Sequence, residues 1–225
     1  MAQKPIGAKL LLYASGQFVV LTLAAMLLFP GGAMYEPGAK RYLFFQNFFS
    51  DLGGTRTRDG QSNLFSMVLF ILALVSVGIA LIVASPVWKR VIVRHGRGEY
   101  LGNAVQWFSA LSGLCYTGIA VTPWNLVLDT HMFFVQTAFT LLLGFVVCLT
   151  AIQLQNGWPA RYIVSNAIYI SMLTCYVLIL FHGPNLLTLH GLVFQVIAQK
   201  IIVYISILNL AYQCASLLKP LPTSD

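Results

Sequence analysis

The side chains best suited to chemistry in this 225-residue chain are histidines and aspartates that stand near the ends of long apolar runs. Imidazole and carboxylate groups act as general bases, orient one another and ligate metal ions. Three imidazoles and a carboxylate would suit zinc with one position left open for water. The candidate catalytic residues are Asp51, Asp129, His131, His182 and His190. Four of these, His131, His182, His190 and Asp51, are also the candidate zinc ligands.

The spacing of these residues contains no local metal motif. Asp129 and His131 form an Asp-x-His pair at the expected start of a helix, where Asp129 could equally cap the free helix amides. His182 and His190 bracket the short connection GPNLLTL. No HxxxH or HExxH spacing occurs, so a zinc site requires the fold to bring distant residues together. The plainer interpretation is a capped helix and solvated histidines.

The elements that position these residues are long apolar helices. The chain is 58% hydrophobic and only 8% charged, whereas soluble domains carry about 25% charged residues. Its mean hydropathy is +0.80. Because the apolar runs are long and uninterrupted rather than alternating, they favour a membrane helix bundle over a β-barrel. The net charge of +7 lies mainly in short connections, where it orients a membrane protein, and we predict no nucleic-acid partner.

Six apolar runs reach the roughly 20 residues that a helix needs to cross the hydrocarbon core. We predict one all-α transmembrane domain over residues 1–225, a six-helix bundle with a first outer loop at 30–62. The first run exceeds the roughly 7–15 residues of a signal-peptide core, so we expect it to be retained as a span. The predicted spans are 6–29, 63–87, 101–121, 131–154, 161–181 and 190–218.

The distribution of Lys and Arg predicts an orientation with both termini inside, typical of an integral protein of the bacterial inner membrane. The candidate catalytic residues then share the outer face. The outer connections carry Lys40, Arg41, Arg56 and Arg58. The inner segments carry the larger set, which is Lys4, Lys9, Lys89, Arg90, Arg94, Arg97, Arg161 and Lys219.

The stretch YLFFQNFFSDLGGTRTR, residues 42–58, is the most unusual part of the outer loop. Its aromatic residues predict an interfacial or re-entrant helix. Gly53 and Gly54 would end that helix through the left-handed conformation that glycine readily adopts. The segment either anchors the loop in the interface or delivers Asp51 to a site among the spans. Arg56 and Arg58 are candidate contacts to lipid headgroups, because guanidinium groups pair with phosphate oxygens.

Polar residues inside the predicted spans suggest a cavity. Lys200 stands ten positions after His190, and a charge at such depth is costly unless it faces the bundle interior or water. Gln195 and Gln199 share its helix, and Gln136 lies in the fourth span. We predict a polar cavity that descends from the outer face with Lys200 at its floor, the alternative being hydrogen bonds between helices.

Four motifs give the chain a resemblance to a known family: FFSDLGGT, SNLFSMVLFILAL, GIAVTPWNLVLDTHMFF and LHGLVFQVIAQKIIVY. Across nearly its whole length the chain resembles the domain-of-unknown-function 998 family of six-helix prokaryotic membrane proteins. That family is distantly similar to the DRAM/Sfk-type proteins and to a GPI-anchor lipid-remodelling factor. The resemblance implies lipid handling, and it implies two family elements here: residues 50–53, and Pro123 with Asp129 and His131. Intramembrane hydrolases of the alkaline-ceramidase type also use Ser, Asp and three His, but this chain lacks their seven spans and their spacing.

We therefore predict a multi-pass protein that binds a membrane lipid or amphiphile at the outer leaflet. Metal-assisted or His-assisted lipid hydrolysis or acyl transfer is the chemistry that its candidate residues would support. One alternative is a non-enzymatic scaffold or subunit with a protein partner or in a homo-oligomer. A second alternative is a redox protein in which histidines bind a b-type haem or the protein binds a quinone.

Overall fold

Six long helices make up most of the computed structural model, which describes residues 6–92 and 98–218. All six are long and apolar enough to cross a membrane. The described residues contain no β-strand, only one isolated bridge between Arg56 and Ser62. The prediction of an all-helical chain with six apolar segments of spanning length is confirmed. The helices are α1 Ile6–Leu28, α2 Leu64–Ile92, α3 Glu99–Val121, α4 Leu128–Gln155, α5 Ala160–His182 and α6 Leu189–Leu217.

The predicted orientation stays a prediction. Of the basic residues on which it depends, four lie outside the described residues, namely Lys4, Arg94, Arg97 and Lys219.

The helices form a closed ring in which each helix packs on the next one in the chain and α6 returns to α1. The four helices from α1 to α4 pack most closely. In α5 only 22% of the apolar window is buried, against 33–44% in the other five helices. The ring is therefore tight on one side and open to its surroundings around α5.

Small residues explain the close contact of α2 with α3. A Cβ atom added to Gly113 would lie 2.5 Å from the carbonyl oxygen of Gly78, so the two backbones touch directly. Nearby, the Ser109 hydroxyl donates a hydrogen bond of 3.0 Å to the carbonyl of Leu81. Close backbone approach and hydrogen bonds between helices replace the hydrophobic driving force, which is weak inside a membrane.

A buried chain of amide side chains joins α4, α5 and α6. Asn209 donates to Asn166, Asn166 donates to Gln153, and Gln153 donates to Gln213, each at 3.0 Å. Gln213 in turn donates to the carbonyl of Tyr162 at 3.1 Å. All four amide residues are at least 93% buried. Because their polar atoms are paired with one another, this network ties the open side of the ring together.

Three connections meet at one end of the ring, which we call the loop end. These are residues 29–63, 122–127 and 183–188. The amide of Thr55 donates to Asn125 at 3.0 Å, and the Tyr35 hydroxyl donates to the carbonyl of Leu186 at 3.2 Å. The long connection is therefore hydrogen-bonded to both of the others.

Candidate functional site

The aromatic segment, residues 42–54, enters the helix ring as turns and a short 3₁₀-helix at Phe49–Gly53. The interfacial or re-entrant helix expected in this stretch does not form as one continuous helix. The Asn47 side chain explains the difference, because its oxygen accepts from the backbone amide of Leu43. Such local bonds from an Asn side chain compete with helix formation. The segment thus buries Asn47 and Asp51 among the helices.

Gly53 and Gly54 are needed for space rather than for a left-handed conformation. Gly54 has a φ of −67°, which any residue can adopt, so the expected glycine cap is wrong. A Cβ atom on Gly53 would lie 2.6 Å from the ring of Phe70, and one on Gly54 would lie 2.8 Å from Nε1 of Trp124. The two glycines therefore let the 3₁₀-helix approach α2 and the connection between α3 and α4.

Asn63 fastens the 3₁₀-helix to the start of α2. Its fully buried amide nitrogen donates to the carbonyls of Leu52 and Gly54, both at 2.9 Å, and to that of Asp51 at 3.4 Å. The side-chain oxygen of Asn63 has no hydrogen-bond partner within the described residues. Asn63 therefore holds the aromatic segment in place and does not cap α2 with its side chain.

Lys200 anchors the other side of the aromatic segment. The side chain is 97% buried on α6, and its ammonium group donates to the carbonyl of Asn47. It also lies 5.0–5.7 Å from the ring centres of Tyr42, Phe44 and Phe49. Aromatic faces attract a cation most strongly where water is excluded. Lys200 thus contacts the aromatic segment. It is not among the residues that line the cavity beside Asp51 described below, contrary to the position at the floor of a cavity that we expected.

Asp51 is buried within the aromatic segment and is held by several donors. One carboxylate oxygen accepts from the Asn47 side chain and from the amide of Phe48, both at 3.0 Å. The other lies 4.0 Å from Arg58, in the one ion pair among the described residues. Burial raises the pKa of Asp51 above its ordinary value, and the bond from Asn47 and the charge of Arg58 offset only part of this effect. The fold fixes this carboxyl group firmly.

A cavity of about 310 Å³ opens beside Asp51, and we call it the chamber. Its walls are mostly apolar, and a few polar side chains converge on it, as in many ligand sites. The apolar walls include Trp124, Val135 and Tyr176. The polar residues that line it are Ser50, Asp51, Arg58, His131, Gln195 and Gln199.

His131 presents an unpaired nitrogen in this region. Its Nδ1 lies 2.7 Å from the carbonyl oxygen of Thr122, and a carbonyl only accepts, so Nδ1 carries the proton. The neutral ring then has a lone pair on Nε2. That atom is buried and has no hydrogen-bond partner in the described part of the chain. The ring lines both the chamber and a smaller adjoining void of about 60 Å³.

The other predicted catalytic residues do not join the chamber. Asp129, His182 and His190 are exposed. Helix α4 begins at Leu128 without a side-chain cap, so Asp129 falls in the first turn and does not cap it. Over residues 6–92 and 98–218, no three His, Cys, Asp or Glu side chains come together to hold a metal ion. The structure therefore gives the proposed zinc site no support.

The predicted polar residues divide in the same way. Gln195 and Gln199 line the chamber, where Gln195 donates to the carbonyl of Pro184 at 2.7 Å and Gln199 accepts from the amide of Phe49 at 2.7 Å. Gln136 is half-buried and lies elsewhere on α4. Arg56 is exposed and donates to the carbonyl of Gly60.

Three chamber residues were missed as site residues. Ser50 belongs to the family element at residues 50–53 but was not among the predicted site residues. Trp124 lies in the short connection after α3, and its ring stacks 4.7 Å beneath the guanidinium of Arg58. Tyr176 sits in the middle of an apolar helix, and only the rotation of α5 in the ring brings it to the chamber wall.

Comparison of the chain with protein-family models, with curated proteins and with solved structures finds no match. The function is therefore inferred from the chamber and from the sequence motifs that meet there.

Proposed function

We propose that this protein binds a membrane lipid or similar amphiphile with its polar end in the chamber. The observation that carries the proposal is the buried Nε2 of His131, which has no partner among the described residues and belongs to a residue lining a mostly apolar cavity. A buried acceptor without a partner is costly, and a ligand that donates a hydrogen bond to it removes that cost.

The polar groups favour a headgroup that both donates and accepts hydrogen bonds, such as a hydroxyl or an amine. His131 Nε2 and the Asp51 carboxylate are acceptors, and the buried Nε1–H of Trp124 is a donor with no partner among the described residues. Arg58 already pairs with Asp51 and stacks on Trp124, and Arg56 bonds to the backbone. These contacts leave the two arginines less free to clamp a phosphate than the sequence suggested.

The same reasoning supports the family resemblance as a proposal. The Ser-Asp-Leu-Gly element supplies Ser50 and Asp51, and the Pro…Asp…His element supplies His131. These two elements are far apart in the chain, yet both contribute to one chamber. We further propose, from the Lys and Arg distribution, that the chamber faces the outer side of a bacterial cytoplasmic membrane.

Lipid analysis of purified protein tests this function. Wild-type protein in mild detergent should retain one class of hydroxyl-bearing or amine-bearing lipid, identified by mass spectrometry. His131→Ala should retain about tenfold less, the effect of one lost hydrogen bond in a dry site. His182→Ala is the matched control, because that histidine is exposed and outside the chamber. Equal retention by all three proteins would refute the proposal.

Hydrolysis or acyl transfer of the bound lipid is the second candidate function, favoured by the presence of Ser50 and His131 in the same chamber. In its neutral form His131 has a free Nε2, and neither this atom nor the Ser50 hydroxyl has a hydrogen-bond partner among the described residues. The Ser50 oxygen would add to an ester carbonyl while its proton passes to Nε2. The ester C–O bond would then break, and the leaving alcohol would take that proton, which leaves an acyl group on Ser50. Water or a second alcohol would attack this acyl group and give its proton to Nε2, and that proton would return to the Ser50 oxygen as the acid or new ester leaves.

A fluorophosphonate probe separates this enzyme function from binding alone. The probe should label Ser50, and both Ser50→Ala and His131→Ala should abolish the labelling. Ser171→Ala, which changes an exposed serine of α5, should leave it unchanged. Absence of labelling in the wild-type protein would reject the enzyme function and leave lipid binding in place.

A further inference from the structure

A second cavity lies next to the chamber, between α5 and α6. Its volume is about 460 Å³ and its lining is almost entirely apolar. We call it the α5–α6 groove. Residues from both helices line it, including Met172, Cys175, Phe194, Ala198 and Ile201.

The groove and the chamber share part of their walls. Tyr176 and Ile179 line both cavities, so the two spaces adjoin at one turn of α5. The chamber holds the polar side chains Asp51 and His131, whereas the groove is lined almost entirely by apolar ones.

The groove faces outward from the ring. Helix α5 is the least buried of the six, Cys175 is exposed, and Phe194 and Ile201 are 50% and 46% exposed. In a chain with six apolar spanning helices, the surroundings at this depth are lipid chains. An occupant of the groove can thus arrive from the membrane without crossing water.

We infer that the α5–α6 groove holds an acyl or alkyl chain of the amphiphile whose headgroup enters the chamber, and that the ligand reaches its site laterally between α5 and α6. This inference rests on the proposed function. The occupant follows from the shared wall at Tyr176 and Ile179, because a ligand that reaches both cavities must be polar at one end and apolar at the other.

The groove serves fit and access rather than hydrophobic gain. A lipid chain is already in an apolar medium, so moving it onto α5 and α6 removes no apolar surface from water. What the groove provides is room for the chain at the level where the headgroup meets His131. A side chain that fills the groove would force the headgroup away from the chamber, an overpacking effect that weakens binding about five- to a hundredfold.

Photo-crosslinking in phosphatidylcholine nanodiscs tests the inference. Two probes are used, a monoacylglycerol and a sphingoid base, each with a diazirine at mid-chain. At least one should label peptides of α5 and α6 that line the groove, saturably and in competition with its unlabelled form. Ala198→Phe should lower this labelling at least about fivefold. Leu178→Phe, on the exposed face of α5 and outside the groove, should leave it unchanged.

Alkylation of the native Cys175 by a membrane-permeant maleimide gives a measurement on the wild-type protein, independent of whether Ala198→Phe folds. The bound probe should slow the reaction at least about fivefold in wild type and in Leu178→Phe, but not in His131→Ala.

The outcomes separate the inference from the proposed function. Labelling that saturates and depends on His131 but lies outside the groove would overturn the lateral site alone. Labelling of the groove that does not saturate would show ordinary boundary lipid and also overturn it. Crosslinks to a second copy of the chain through the groove would assign it to a protein interface instead. Absence of saturable labelling anywhere would refute lipid binding itself.

Discussion

Removing the side-chain amide of Asn63 is the sharpest test of how the aromatic segment is held. The amide nitrogen donates to three backbone carbonyls. The carbonyl of Leu52 keeps a second donor in the Ser66 hydroxyl at 3.3 Å, and that of Asp51 keeps the amide of Gly54 at 3.3 Å. The carbonyl of Gly54 has no other donor among the described residues.

These contacts set the size of the effect. In Asn63→Ala one buried carbonyl is left unpaired, which costs about 1–3 kcal/mol, and the bonds to the two carbonyls that keep another donor contribute up to about 1 kcal/mol each. Loss of the unpaired Oδ1 of Asn63 offsets part of this cost. We therefore expect the free energy of unfolding to fall by about 2 kcal/mol, a substantial part of the roughly 5–15 kcal/mol that typically holds a protein folded. Asn63→Asp keeps the shape, removes both N–H donors and sets a carboxylate against carbonyl oxygens, so it should destabilise at least as much.

The assay is reversible unfolding in mixed micelles, followed by the change in helical circular dichroism. Asn185→Ala is the matched control, because that side chain is exposed and makes one hydrogen bond, from the amide of Leu187, so its removal should cost no more than about 1 kcal/mol. Both Asn63 variants should also lose lipid retention, since the 3₁₀-helix that carries Asp51 is no longer fastened. If Asn63→Asp is as stable as the wild type, the reasoning is refuted, because the shape of the side chain and not its donated hydrogen bonds would then hold the segment.

Three further predictions address pH, the buried amides and helix packing. Burial raises the pKa of Asp51, so at pH values between the ordinary carboxyl pKa and this raised pKa the folded protein keeps a proton that the unfolded chain has released. The free energy of unfolding should therefore fall as pH rises from the ordinary carboxyl pKa through the raised pKa. Asp51→Asn should flatten that part of a plot of Tm against pH, and a plot for Asp51→Asn that matches the wild type would contradict this. Asn166→Ala breaks two buried amide bonds and should cost about 2 kcal/mol in the same unfolding assay, whereas a loss below about 0.5 kcal/mol would show the network to be dispensable. Gly113→Ala should lower Tm by several degrees, because the new Cβ atom meets the backbone of α2. In Gly16→Ala the new Cβ atom has no neighbour within 4 Å, so Tm should stay the same or rise. Similar effects of the two changes would contradict the close packing of α2 and α3.

The sequence by itself determined the class of the protein. Six runs of spanning length follow from local composition, because a helix in lipid needs only about 20 apolar residues and no tertiary partner to be recognised. The sequence also singled out the stretch around Asp51 and the pair of glycines after it. Its account of that stretch failed at two points. A local bond from the Asn47 side chain to the amide of Leu43 replaces the expected helix, and long-range contact with Phe70 and Trp124 accounts for the glycines.

Only the tertiary structure decided which candidate residues meet. Asp51 and His131 line one chamber, whereas His182, His190 and Asp129 remain exposed. A sequence can assign all five residues to one end of a bundle, but entry into the interior depends on the rotation of each helix about its axis and on the residue at which it begins. A shift of one residue turns a helical side chain by about 100°. Packing against neighbouring helices sets that angle, and it therefore sets the site.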